Sequence, residues 1–234
     1  MLHYLLTGDD FVYESLRKTR SWLLQKRFFD HYDFSNAREA GWHLIHLCML
    51  AAAQDDPDCL NAASIIVERV LERAEPEGGW TRNLTESHCG CGYPRCRGEA
   101  GFMVGVLLSG LKRYYYLTQD PRVGEAIVGG ARWLLRETFD HESGHFRYTS
   151  CRNRTLGGNF RCTQWVLEGL AAAWELSGDA DIAHHVKKGL PTIGMFPEWI
   201  SHLGMGKAMA QQMRYVPTIL AALESRPLKG ENDD

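Results

Sequence analysis

Apolar residues recur at three- and four-residue intervals along nearly the whole chain, and stretches that alternate apolar with polar positions are scarce. Helical periodicity of this kind predicts an all-α fold. The expected helices cover Phe11–Phe28, Asn36–Ala53, Pro57–Ala74, Glu99–Leu117, Pro121–Thr138, Arg161–Leu176, Asp181–Leu190 and Trp199–Leu223. Two of them open on Asp-Pro pairs, Asp56-Pro57 and Asp120-Pro121, which couple a capping carboxylate to a proline at the first helical position.

The pattern also repeats. Tyr4-Leu-Leu-Thr-Gly-Asp9, Tyr115-Tyr-Leu-Thr-Gln-Asp120 and Trp174-Glu-Leu-Ser-Gly-Asp179 are versions of one short turn, with Gln54-Asp-Asp-Pro57 as a variant. Glu39-Ala-Gly-Trp42 and Glu99-Ala-Gly-Phe102 open two helices in the same way, while Gly78-Gly-Trp80 and Gly144-His-Phe-Arg-Tyr148 sit in matching long loops. The repeating unit is therefore helix A, short turn, helix B, long loop. The A helices carry the small residues Ala51 to Ala53, Gly105, Gly110 and Ala171 to Ala173, as an inner ring requires. The B helices carry charge, as in Val67-Glu-Arg-Val-Leu-Glu-Arg73, and belong outside. Stacked hairpins put every short turn on one face and every long loop on the other, and a site is easiest to build among the long loops.

These hairpins and their turns resemble the (α/α) toroids of the six-hairpin glycosidase superfamily over most of Met1 to Leu223. The resemblance implies a toroid or partial toroid and a carbohydrate-active protein. A closed ring takes about six hairpins and the pattern supplies about four and a half. Residues 1–226 are accordingly expected to form an incomplete ring, completed by a missing N-terminal part or by oligomerisation, and the polar residues 227–234 a disordered tail.

Composition narrows the partners. The chain has 234 residues, 44% hydrophobic and 24% charged, with a net charge of -3. There is no long-range positive field and no basic run, so no nucleic-acid partner is expected. No stretch reaches the ~18 apolar residues of a membrane helix, and the opening MLHYLLTGDD lacks the layout of a signal peptide. No membrane association and a cytoplasmic location are expected of the chain as written, the latter changing for a fragment of a secreted protein. Neither a phosphate-binding loop nor a dinucleotide fingerprint is present, so no nucleotide cofactor is expected.

Of the seven cysteines, Cys48 and Cys59 fall inside helices and suit a small buried hydrophobe. Cys89, Cys91 and Cys96 crowd into one long loop, Glu86 to Gly101, and Cys151 and Cys162 flank the next on the same face. Soft ligands gathered this way make these five candidate metal ligands, with zinc as the ion. Disulfides and plain reduced thiols are the alternatives.

The first turns of the A helices should face the mouth of the ring. They offer Arg38, Glu39 and Trp42; Arg97 and Glu99; Arg161, Gln164 and Trp165. Rings stack on a pyranose, arginine grips a carboxylate bidentately, and a carboxyl pair cleaves a glycosidic bond. Glu39 and Glu99 are thus the candidate catalytic pair, and Arg38, Trp42, Arg97, Arg161 and Trp165 the candidate substrate contacts. His88, Tyr93 and Tyr148 are loop residues able to move protons in an elimination. The expected activity is glycoside hydrolysis or β-elimination on an acidic oligo- or polysaccharide, and the alternative is a non-enzymatic helical-repeat module stapled at its cysteine loop.

Overall fold

The computed structural model describes residues 6–154, 163–192 and 215–225. Within them the chain forms helices α1 (Asp10–Leu23), α2 (Lys26–His31), α3 (Ala37–Gln54), α4 (Pro57–Glu72), α5 (Gly101–Thr118), α6 (Pro121–Thr138), α7 (Thr163–Ser177), α8 (Ala180–Gly189) and α9 (Val216–Ser225). Two short antiparallel ladders interrupt them. Strands β1 (Arg82–Asn83) and β2 (Arg97–Gly98) pair Arg82 with Gly98, and β3 (Phe139–Asp140) and β4 (His145–Phe146) pair Phe139 with Phe146. The architecture is all-α, built from successive helical hairpins.

Helices α3, α5 and α7 lie side by side as the inner layer, with α9 against α7, and α4, α6 and α8 pack on them from outside. Burial separates the layers. Helix α5 hides ten consecutive residues from Met103 to Lys112, whereas α4 and α6 bury one stripe each. The inner helices meet backbone to backbone at glycine: a Cβ on Gly41 would lie 2.5 Å from the Val106 carbonyl oxygen, and one on Gly105 would lie 2.4 Å from that of Trp165. Only the absence of a side chain permits that approach.

The short turns share one hydrogen-bond circuit. Gly8, Asp55, Gln119 and Gly178 take the left-handed conformation that ends a helix, and Asp9, Asp56, Asp120 and Asp179 cap the next one through their carboxylates. In three of them a hydroxyl on Thr7, Thr118 or Ser177 accepts from the amide of the capping aspartate. Arginines of outer helices then tie neighbouring hairpins together, Arg20 to Asp56 and Arg132 to Asp179. The Arg20 guanidinium holds the Asp56 carboxyl well below the usual range.

Three expectations are corrected. The first expected helix, Phe11–Phe28, is two: α1 ends at Leu24, and α2 starts anew so that Phe29, Tyr32 and Phe34 turn inward, their carbonyls held by Arg69 and Arg73 of α4. His184-His185 falls on the outer-type helix Asp181–Leu190, whose polar residues are expected to face solvent, but His185 is 8% exposed and sits edge-on to Phe139 at 4.4 Å. Helix α5 starts at Gly101 with Ala100 as its N-cap, so Glu99 precedes the helix instead of lying in its first turn. Trp80 packs its loop onto the helices, its Nε1 donating to the Val70 carbonyl at 2.9 Å. The expected helix Trp199–Leu223 lies mostly outside the described residues, as does the 227–234 tail.

Gly41→Ala and Gly105→Ala should each cost about 1–3 kcal/mol, because the inner helices would have to part. Gly92→Ala, with nothing within 4 Å of the added carbon, should leave stability unchanged. Chemical denaturation of the three variants checks the difference.

Candidate functional site

The long loops meet at one end of the hairpin stack and are laced together by backbone hydrogen bonds. Residues 84–96 form the tip of a hairpin closed by β1 and β2, with Leu84 N–H donating to the Cys96 carbonyl at 3.0 Å. The segment 148–151 runs alongside its exit: Ala100 bridges to Thr149, Gly101 N–H donates to Tyr148, and Ser150 N–H donates to Glu99 at 3.0 Å. The Glu99 amide in turn donates to Ser150 Oγ at 3.2 Å.

That lacing fixes a buried ion pair. Glu99 is fully buried, and its carboxylate accepts from Arg82 Nε at 2.8 Å, Arg82 Nη2 at 3.3 Å and the Ala100 amide at 2.8 Å. Burial raises the Glu99 pKa even so, against the pull of Ala100 N–H and Arg82. Arg38, in the first turn of α3, is close enough to act electrostatically on both Glu99 and His88.

Aromatic rings extend from this pair. His88 stacks on Tyr148 at 5.6 Å, Tyr148 on Phe102 at 5.3 Å, and Phe102 meets Trp165 edge-on at 6.1 Å. Thr85 Oγ1 and Ser87 Oγ reach His88 Nδ1 at 2.9 and 3.3 Å. Burial, with repulsion from Arg82, Arg38 and Arg154, lowers the His88 pKa and favours the neutral ring. Glu39 is half-buried nearby in α3, bonded to Tyr32 Oη and to Asn36 Nδ2.

The structure thus brings Arg38, Glu99, His88, Tyr148 and Trp165 into one neighbourhood. Others lie elsewhere. Arg97 points the opposite way from Glu99, to Glu75 at 3.2 Å and Thr81 at 3.0 Å, and Tyr93 is 94% exposed at the hairpin tip. Trp42 is half-buried in α3, tilted against His46. Arg161 and Cys162 lie outside the described residues. Sequence reasoning missed Arg82 and the ring of Phe102. It also missed a polar group farther along the inner helices, where Arg113 pairs with the buried Glu168 at 3.1 Å and Lys112 lies over the Tyr116 ring at 5.5 Å. The signal was present: Lys112-Arg113 interrupts an otherwise apolar inner helix.

Beside the ion pair, Cys89, Cys91, Cys96 and Cys151 bring their sulfurs within 4.8 Å of one another and could hold a metal ion. The sulfurs of Cys91 and Cys96 lie 3.4 Å apart, and Cys151 Sγ lies 3.8 Å from each of these and 3.7 Å from Cys89 Sγ. None of these cysteines is in a disulfide. Four thiolates around an ion at about 2.3 Å form a tetrahedron with edges near ~3.8 Å, so the donor set fits a tetrahedral metal. Asn153 Nδ2 donates to Cys91 Sγ at 3.2 Å, and backbone N–H groups of Gly90 and Asn153 face the Cys151 sulfur. On its outer side the cluster borders a groove of about 850 Å³ lined by Arg97, Arg136, Arg152 and Glu75. Cys48 and Cys59 are separate, buried, and pushed up to about 12 by desolvation.

No protein-family model and no curated protein matches the sequence. Among solved structures, an unsaturated glucuronyl hydrolase variant, described with dGlcA-Glc-Rha-Glc, superposes over 95% of this chain and 70% of its own, with a TM-score of 0.60 at 14% identity. The fold is that of an (α/α) toroid or part of one. A sugar epimerase from a ruminal bacterium superposes more loosely, over 81% of this chain and 59% of its own, with a TM-score of 0.48 at 10% identity. In toroid terms, the ion pair and the stacked rings stand at the long-loop end of the inner helices. Among the described residues, no helix is long and apolar enough to cross a membrane.

Two outcomes test this geometry. Arg82→Met leaves the Glu99 carboxylate buried without its cation and should cost about 3 kcal/mol or more, whereas Arg82→Met with Glu99→Gln should recover most of that loss. Denaturant titration of both variants decides it. Because burial lowers the His88 and His43 pKa values, the folded state binds fewer protons than the unfolded chain. Stability should therefore fall as pH drops below the ordinary histidine value of about 6.5, and His88→Gln should flatten that part of the melting-temperature profile.

Proposed function

We propose that this protein is a carbohydrate-active toroid that processes an acidic oligo- or polysaccharide at its long-loop end. The carrying observation is the buried Arg82–Glu99 pair beside the His88, Tyr148, Phe102 and Trp165 rings, with Arg38 at the same mouth. The fold shared with a glucuronyl hydrolase supports the same substrate class.

Each part has a chemical task. The rings present faces to a pyranose, with Trp165 extending the stacking surface, and Arg38 neutralises a uronate carboxylate. In hydrolysis, Glu99 and Glu39 serve as the two carboxyl groups, Glu99 as the carboxylate that Arg82 holds charged and Glu39 as the one that meets the leaving oxygen. In elimination, neutral His88 takes the proton beside the uronate and Tyr148 protonates the leaving oxygen. The cofactor that accompanies this reading is zinc at Cys89, Cys91, Cys96 and Cys151, closed by four thiolates and so structural.

Incubation with oligosaccharides bearing saturated or unsaturated uronic acids tests the proposal. New reducing ends without new ultraviolet absorbance identify hydrolysis, and new reducing ends accompanied by absorbance from a newly unsaturated uronide identify elimination. Glu99→Gln should lower turnover at least about 100-fold in the first case, and His88→Gln in the second. Saccharide binding without turnover across the panel would sink the enzymatic reading in favour of a binding module.

A further inference from the structure

The four cysteines are not arranged around the mouth. They lie behind it, where the 84–96 hairpin and the 148–154 segment would otherwise meet only through a few exposed polar contacts such as Arg154 Nε to the Ser87 carbonyl at 2.9 Å. Three ligands come from the hairpin and the fourth, Cys151, from the facing segment, so an ion at their centre would cross-link the two. Gly90 already passes so close that a Cβ there would stand 1.8 Å from the Asn153 carbonyl oxygen.

Both covalent paths out of the cluster lead to Glu99. Cys96 precedes it by three residues through β2, and Cys151 follows Ser150, whose amide and hydroxyl hold both backbone groups of Glu99. The same β2 pairs with β1, which carries Arg82. Gly98 completes the fit, because a Cβ there would lie 2.1 Å from Ser150 Oγ. Arg82, Glu99 and Ser150 are therefore placed by the two segments that the sulfurs join.

We infer that metal bound by Cys89, Cys91, Cys96 and Cys151 acts as a positioning clamp that holds the β1–β2 hairpin against residues 148–151 and so sets the Arg82–Glu99 pair. The inference rests on the metal reading proposed above and adds what the ion does. Binding would release the four thiol protons to solvent and leave a tetrathiolate centre of net charge −2, partly offset by the backbone N–H groups of Gly90 and Asn153 at Cys151. Without the ion, the two segments keep one β-bridge and the Ser150 contacts, and the ladder next to Glu99 opens more often. Cys91 and Cys96 are partly exposed toward the outer groove, which gives a chelator access without passing the mouth.

The test uses the full chain purified without chelator. Elemental analysis should find one zinc per chain, and Cys96→Ser should lose it; a chain free of metal overturns the metal reading and the clamp with it. Hydrogen exchange is then compared between zinc-loaded and zinc-stripped protein. Amides of Glu99, Gly101 and Ser150 should exchange at least tenfold faster after stripping, with Leu44 to Leu50 of α3 unchanged. Ser150→Ala should loosen the Glu99 amide while keeping the zinc. Zinc bound at one per chain with unchanged exchange at Glu99 and Ser150, or a rise that extends equally into α3, leaves the metal reading standing and overturns the clamp.

Discussion

The contact on which the rest of this molecule depends is the passage of one inner helix over another at Gly41, Gly105 and Gly110. Backbones that approach so closely at these glycines leave no room for side-chain rearrangement there, and charge enters between the inner helices farther along, as the Arg113–Glu168 pair. Outer helices, freed from that crowding, can keep a polar face and use arginine to reach across to a neighbouring turn, as Arg20 and Arg132 do. Tight packing in the middle also fixes where the helix ends fall. The long loops then have to bridge from an outer helix back to an inner one at a separation set by the ring.

Those bridges explain how a carboxylate without solvent comes to lie there. Taking Glu99 out of water is unfavourable by itself, and Arg82 offsets it only because β1 holds the guanidinium in register with β2. The ion pair is thus a product of strand pairing, not of helix propensity. The neutral His88 ring and the stacked Tyr148 and Phe102 rings shield the same corner.

Much of the fold was legible in the sequence because its signals are local. Helical periodicity and capping aspartates place α3, α4, α5 and α6 within a few residues, and the Asp carboxylate of each short turn, with the Thr/Ser hydroxyl of three of them, makes the bonds its type favours. The break between α1 and α2 was hidden, since neither glycine nor proline marks Leu24-Gln25 and the cause is tertiary, the inward turn of Phe29 and Phe34. His185 could have been found: it shares the buried stripe of Ile182 and Val186. The site divides likewise. Crowded cysteines announce three ligands, but Cys151 follows Cys96 by fifty-five positions, too far for spacing alone to single it out. Arg82 was invisible as the partner of Glu99 because seventeen positions and a ladder lie between them.

The end of β2 has one more consequence. Arg97 faces the outer groove and Glu99 the interior, although side chains two positions apart on a continuing strand would share a face. The ladder stops at Gly98 and the chain turns through the Ala100 N-cap into α5, so the two groups fall on opposite sides of the wall. One more residue of regular strand would bring the arginine and the carboxylate onto one face and dissolve the partition between solvent and interior.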